Sequence, residues 1–368
     1  MKNIFKIASL LAAAVMLFAC EEDTPQNGDN TGDIVLVSDK DVIQSNGQDA
    51  ATLKVLVDGQ DKTSESVIYD QNNEVVELDG GKFTANKDGE YKFWATCGTL
   101  STYNKEYEEN GLITIKAISV PVPQAAADPQ PENTTFAHRA FLTQYTGKGC
   151  GYCPYMIKIL KGLIADNTIP EKAVLAAVHS YGNQDPAYIP TPRVSNYPYL
   201  HIDLKTGFSH TNGASALYSQ VNSSIASDAK AGISVNPSLV GKTLVVKVSV
   251  KAAVDGEFSV GAWLLEDGIY GMQSDYDNVG DDTYDHHENC VRIADSKYRG
   301  TYLGLPVGKL KKGETAEKTF VMNVKNAWKV ENLHLAAFVS YGEPATSGCA
   351  VCNAVDVPID QPTPFEYK

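Results

Sequence analysis

Hydrophobic and polar residues alternate in short runs along most of the chain, and the period of that alternation changes twice. Between residues 33 and 118 the runs 34–37, 52–57, 67–69, 74–78, 91–96 and 112–117 are separated by Gly, Asn and Asp clusters. Short period-two runs with turn residues between them predict a small β-sandwich. Residues 119–134 hold Pro121, Pro123, Pro129 and Pro131, which predicts a stiff linker and a domain boundary. The pattern then lengthens. Residues 139–146 read as a strand, and 154–164 carry Met156, Ile157, Leu160, Leu163 and Ile164 on one helical face. Residues 173–180 are continuously apolar, as expected of a strand buried on both faces of a parallel sheet. Together these make a βαβ unit. A further strand is expected at 198–203, and a helix at 214–226, where Leu217, Val221 and Ile225 recur every four residues. From Gly232 onward period two returns through 244–250, 258–265, 318–324, 333–340 and 354–359. The expected architecture is a multidomain α+β chain: a β-sandwich at 33–118, an α/β domain at 135–230 and a C-terminal β-sandwich at 231–368.

Composition narrows the class of protein. At 368 residues the chain exceeds what one hydrophobic core usually absorbs. Hydrophobic residues at 43% and charged residues at 21% exclude wholesale disorder and a fibrous protein. A net charge of −14 repels phosphate backbones, so no nucleic-acid partner is expected.

The N-terminus reads as an address. Lys2 and Lys6 precede an apolar run over 7–18, shorter than the roughly 20 residues a membrane span needs, so 1–19 is expected to be a signal peptide. The run ends in Leu17-Phe18-Ala19-Cys20, which resembles a bacterial lipobox, with Phe18 bulkier than usual there. That resemblance implies cleavage before Cys20 and acylation of it, with the membrane as partner. Residues 20–32 are polar and turn-rich, as in a flexible tether. The acidic start Glu21, Glu22 and Asp23 resembles a surface-export signal, and reads equally well as a solvated linker.

The strongest chemical signal is Cys150-Gly151-Tyr152-Cys153, at the turn from the first strand of the βαβ unit into its helix. A helix N-terminus presents partial positive charge and unpaired N–H groups, which stabilise a thiolate. Cys150 would be the nucleophile and Cys153 the resolving thiol; a structural disulfide or half of a metal site are the other readings. Strand, Cys-x-x-Cys and helix together resemble the thioredoxin-fold signature. A thioredoxin-like domain would place a cis-proline against the pair, and Pro198, before the next strand, is the candidate. Gly149 stands where thioredoxins carry Trp. His179 ends the second strand of the unit, on the sheet edge where Cys150 also lies, so its imidazole is a candidate to stabilise the Cys150 thiolate. A strand-end histidine bonded to backbone is the plainer alternative.

A wider resemblance rests on four stretches: Tyr145-Thr146-Gly147 running into Cys150–Pro154, Val178-His179-Ser180, residues 263–267, and 285–292. In that order they look like the twenty-eight-kilodalton outer-membrane-protein family of surface lipoproteins, over about residues 135–360. The resemblance implies an outer-membrane location, a thioredoxin-like core and a β-rich C-terminal part, but no settled chemistry. In the N-terminal sandwich, Gly89-Glu90-Tyr91 resembles the entry to a late strand of bacterial immunoglobulin-like domains, with Phe93 where antibody domains place a cysteine. Two functions follow. One is a binding or adhesion module for a protein or glycan at the cell surface, using a tyrosine rim of Tyr152, Tyr155, Tyr181, Tyr197 and Tyr199. The other is a thiol–disulfide oxidoreductase using Cys150 and Cys153. An exposed Cys150 facing a cis-Pro198 favours the enzyme; a buried disulfide favours the module.

The remaining constellations are weaker. Besides Cys20 the chain has six cysteines, an even number that suits oxidation. Cys349-Ala350-Val351-Cys352 falls in a turn between strands and reads as a structural bridge, with Cys290 as a further disulfide candidate. Residues 275–281 resemble a calcium loop only faintly, because Val279 and His286 occupy ligand positions, so a solvated acidic loop is expected. His286 and His287 point oppositely if they lie on a strand. No Ser-His-Asp arrangement, Walker loop or dinucleotide fingerprint occurs, and neither a metal nor a cofactor is expected.

Overall fold

The computed structural model describes residues 33–103, 112–167, 169, 171–190, 194, 196–294, 304–343 and 348–368. The expected signal peptide, Cys20 and the acidic tether lie outside them. Two compact units are present, residues 1–117 and 118–368.

The described part of the first unit consists of two antiparallel sheets packed face to face. One is built around Ala50–Val57, with Ile34–Ser38 on one side and Gln60–Asp61 and Lys82–Thr84 also paired to it. The other runs Val42–Gln44, Ile113–Ile118, Gly89–Cys97, Val67–Asp70. Alternate residues of both sheets, among them Leu53, Val55, Phe93, Ala95 and Ile115, fill the space between. One expected strand, 74–78, is absent. The Asp70 carboxylate accepts from the N–H groups of Asn72 (2.8 Å) and Glu74 (2.9 Å) and curls the chain into a turn. Only a single bridge, Tyr69 to Val75, remains of the ladder.

The second unit opens with β1 (Ala140–Thr146), α1 (Cys153–Ala165) and β2 (Ala173–His179). β1 and β2 are parallel, with Thr146 opposite His179. β3 (Tyr199–Ile202) lies antiparallel on the other side of β1 and is followed by β4 (Thr206–Phe208) and α2 (Ala214–Ser224). The β-rich remainder comprises β5 (Ala231–Val240), β6 (Thr243–Ala252), β7 (Gly256–Glu266), β8 (Ile269–Tyr270), β9 (His286–His287), β10 (Cys290–Ala294), β11 (Leu305–Leu310), β12 (Thr315–Asn323), β13 (Leu333–Tyr341) and β14 (Ala350–Pro358).

One sheet runs through the whole unit, in the order β4–β3–β1–β2–β10–β7–β13–β14, with β11 also paired to β7. The joint is β10, parallel to β2 at Ala177–Cys290 and antiparallel to β7. The sheet therefore crosses residue 230, where the sequence suggests a domain boundary. Burial shows why. Ala140 and Leu142 of β1 face the helices, packing with Met156, Leu160 and Leu217. Phe141 and Tyr145 face the other way and share a core with Trp263, Leu265 and Phe338 of β7 and β13. Neither half could expose that layer to water without losing about 1.5–3 kcal/mol for each large side chain. β5, β6 and β12 form a second sheet over the far side of β7, β13 and β14.

The proline-rich stretch lies on this second unit. Asn236 Nδ2 donates to Gln124 O (2.9 Å). The fully buried Lys251 ammonium is held by Asp128 Oδ2 (2.9 Å), the carbonyls of Gln130 and Pro131, and Tyr367 Oη.

Candidate functional site

The carboxyl edge of β1 and β2 gathers most of the chemically distinctive residues. β1 ends at Thr146, and residues 147–149 turn the chain into α1. The Cys150 N–H donates to Gly147 O (2.9 Å) and the Cys153 N–H to Cys150 O (3.1 Å). Pro154 follows in the first helical turn, where a missing N–H costs nothing. Cys150 and Cys153 are joined as a disulfide, and both are buried, at 2% and 0% exposure.

The turn that carries them is bonded by the segment between β8 and β9, of which 275–281 is expected from the sequence to be a solvated acidic loop. Its first part is a cap instead. The Ser274 N–H donates to Lys148 O (2.7 Å) and the Tyr276 N–H to Gly151 O (3.0 Å). Gln273 Nε2 donates to Cys150 O (3.0 Å) and to Lys148 O (3.3 Å). The Tyr276 ring lies so close to Gly151 that a Cβ there would sit 2.5 Å from it. Tyr152 meets that ring edge-on at 5.3 Å, and Tyr155 Oη donates to Asp277 Oδ2 (2.9 Å). The Asp275 carboxylate accepts from the Gly280 N–H (2.8 Å), within its own loop. Among the described residues no cluster of three or more His, Cys, Asp or Glu could hold a metal ion.

His179 is fully buried, and both ring nitrogens are engaged. Nδ1 lies 2.9 Å from Asp185 Oδ2 and Nε2 lies 3.5 Å from Cys290 Sγ. The imidazole is therefore committed away from Cys150, contrary to the role proposed for it from sequence. Burial alone would raise the Asp185 carboxyl. The hydrogen bond and charge of His179, with the N–H groups of Lys148 (2.6 Å) and Ala187 (2.8 Å), outweigh that and hold it at about 2. An ionised carboxylate only accepts, so Nδ1 carries the proton. Burial pushes the Cys290 thiol well above its ordinary value. It stays protonated and can donate to Nε2.

The series Cys290, His179, Asp185 has the connectivity of a nucleophilic triad, but a fully buried, neutral thiol is inert. Its structural effect is to tie β10 to β2. The His287 ring packs edge-on to His179 at 4.8 Å. Its Nε2–H donates to Gly271 O (2.8 Å), and burial and the neighbouring His179 push its pKa down to about 4. A cavity of about 80 Å³ beside His179, lined by Gln144, Thr146, Ile157, Leu160 and His287, has room for two or three waters.

Cys290, Cys349 and Cys352, the other disulfide candidates, are free thiols. Cys290 is held in β10 beside His179, while Cys349 and Cys352 belong to the edge of β14. Burial pushes Cys352 up to about 12, so it too stays protonated.

Pro198 is buried immediately before β3, and the Tyr197–Pro198 peptide is cis. Tyr197 Oη and Ser180 Oγ are 2.9 Å apart. The Tyr197 ring meets Tyr181 edge-on at 5.2 Å, and Tyr181 packs on Gly149. Of the five tyrosines read as a rim, Tyr152 and Tyr181 are exposed, whereas Tyr155, Tyr197 and Tyr199 are half-buried. The structure adds Tyr188, Tyr270, Met272 and Tyr276, all exposed. Asp185, Gln273 and Tyr276 carry much of the site and have no sequence signal, because each sits in an irregular loop where periodicity is silent. Among the described residues, no helix is long and apolar enough to cross a membrane.

No curated protein matches the chain significantly. In fold it is similar to HBP35 of Porphyromonas gingivalis, at a TM-score of 0.51 and 16% identity over 64% of this chain and 80% of that one. A protein from Agrobacterium tumefaciens aligns at a TM-score of 0.40 and 12% identity, over 63% of this chain and 99% of that one, too low to carry an argument. The family model described as outer membrane protein Omp28 matches residues 187–361. That span is narrower than the expected 135–360, and it leaves Cys150, Cys153 and His179 outside. Over residues 187–361, a little under half of its length, this chain is similar to the Omp28 family of outer membrane proteins.

Proposed function

We propose that this is a lipid-anchored outer-membrane protein acting at the cell surface as a binding or adhesion module. Acyl chains on Cys20 hold it in the membrane, an immunoglobulin-like spacer follows, and a thioredoxin-like scaffold carries the contact face. The observation that carries this reading is the sealed disulfide. Exchange needs a thiolate to reach a sulfur in line, and Cys150 at 2% exposure, in a turn whose carbonyls are bonded by residues 273–276, offers no such approach. Around the seal stand Tyr152 (50% exposed), Met272 (72%) and Tyr276 (65%), the kind of large side chains that anchor interfaces. The ligand is a protein or glycan at the cell surface, with no cofactor and no nucleic acid involved.

The test is adhesion of cells displaying the chain to immobilised glycoprotein, before and after glycan removal. The variant Tyr152→Ala/Tyr181→Ala should lose adhesion, and Cys150→Ser/Cys153→Ser should keep it. Cys20→Ser should move the protein out of the membrane fraction, because the acyl chains are the only anchor proposed. Adhesion that depends on the cysteines and ignores the tyrosines would overturn the binding reading, and a membrane-bound Cys20→Ser protein would overturn the anchor.

A further inference from the structure

We infer that residues 273–277 occupy the polypeptide groove of a latent thiol–disulfide exchange site, closing Cys150–Cys153 to thiols until the segment is displaced. The inference rests on the thioredoxin-like scaffold and is independent of the binding reading.

Three carbonyls of the disulfide turn, those of Lys148, Cys150 and Gly151, are all engaged by this one segment. Two of the donors are backbone N–H groups two residues apart, Ser274 and Tyr276, the spacing with which an extended strand presents its groups to one side. Acceptors so arranged would pair equally well with any extended polypeptide, which identifies the ligand class. The segment is therefore an internal stand-in for a peptide partner. It is fastened further along by Asp277 on Tyr155 and by Lys161 Nζ on Thr283 (3.1 Å).

Gly151 points the same way. Its backbone lies outside the left-handed region, so conformation does not demand glycine there. What demands it is the Tyr276 ring, whose Cγ, Cδ1 and Cδ2 would all lie within 2.6 Å of an added Cβ. These atoms are near the stem of the side chain, so the segment itself would have to shift.

Once the segment is displaced, the chemistry is ordinary exchange. A thiolate of an external dithiol attacks Cys150 Sγ, a mixed disulfide forms, and the Cys150–Cys153 bond breaks. The electron pair leaves on Cys153 Sγ, which takes a proton from water. The second thiol of the reductant gives its proton to water and, as thiolate, attacks the mixed disulfide, leaving oxidised dithiol and a Cys150 thiolate at the N-terminus of α1.

The experiment treats the oxidised mature chain with dithiothreitol, quenches with N-ethylmaleimide, and follows labelling of the peptide carrying Cys150 and Cys153. Gln273→Ala, which removes the amide bonds to Lys148 O and Cys150 O, Tyr276→Ala, which removes the ring packed on Gly151, and Gly151→Ala, which forces that ring away, should each speed reduction roughly tenfold or more. Gly151→Ala added to Tyr276→Ala should bring no further gain, because the collision is gone. Gly182→Ala, with open space around its Cβ position, should behave as wild type. If Tyr276→Ala fails to fold, Gly151→Ala carries the test alone, since it removes no hydrogen-bonding group. A slow wild type whose rate none of the three variants changes overturns the gate and leaves the binding reading intact. A wild-type disulfide reduced as fast as oxidised glutathione overturns both.

Discussion

Replacing Asp185 with Asn should cost the second unit about 2–3 kcal/mol at pH 7 and remove part of its sensitivity to acid. Asp185 is buried and accepts from His179 Nδ1, Lys148 N and Ala187 N. Its carboxyl is held at about 2 against an ordinary value of 3.8. That depression corresponds to about 2.5 kcal/mol of preference for the ionised form in the folded state. The folded value is the depressed one, so this stability is fully present above about pH 4 and is lost as pH falls towards 2. Asn keeps the shape but not the charge, and its amide N–H2 faces a donor on one side. The measurement is urea unfolding of the mature chain at pH 7, 4, 3 and 2.5, with Trp94→Phe in the background so that fluorescence reports Trp263 and Trp328. The two curves should lie apart at neutral pH and converge in acid. Parallel curves at every pH, or a cost below about 0.5 kcal/mol at pH 7, would refute the assignment of Asp185 as the anchor of this turn.

Three further outcomes are expected. Burial would lower the His334 pKa, but the carboxylates of Asp267 (3.4 Å) and Asp356 (2.8 Å) raise it to about 9. The pair partners are nearly half exposed, so the contribution is screened to about 1 kcal/mol; it is complete below pH 6.5 and lost as pH rises through 9. The urea midpoint should fall over that interval in wild type and stay level in His334→Gln. Lys251→Met should leave Asp128 and the Gln130 and Pro131 carbonyls without their cation, costing about 2 kcal/mol and opening 119–134 to limited proteolysis. Unchanged cleavage there would show that the ammonium does not hold the stretch down. Removing residues 33–117 should leave the rest unfolding cooperatively, since those residues lie in a separate compact unit; a broad, non-cooperative transition would contradict it.

Local pattern carried a good share of the fold. The continuous apolar run at 173–180 and the helical face at 154–164 correspond to β2 and α1 within a residue or two, because a strand buried on both faces and a one-sided helix leave unlike periods. Glu74 to Leu78 shows the converse: a strand-like run lost to one aspartate that satisfies two backbone N–H groups. β10 carried no expectation as a strand, yet it joins the two halves of the sheet. Its position depends on partners in β2 and β7 that are far away in sequence.

The sequence by itself determined that Cys150 and Cys153 bracket a helix start after a strand, since both the spacing and the periods on either side are local. It also determined the acidic charge and the β-rich C-terminal part. Tertiary structure alone decided what that pair can do. The cap at 273–276 comes from more than a hundred residues downstream, and half of its hydrogen bonds to the turn are made by backbone N–H groups, which every non-proline residue possesses and no sequence pattern marks. The partner of His179 was likewise decided by sheet order, which set Cys290 beside its Nε2 and not Cys150. Contacts of that kind depend on which strands become neighbours, and period and spacing within one stretch of chain do not specify it.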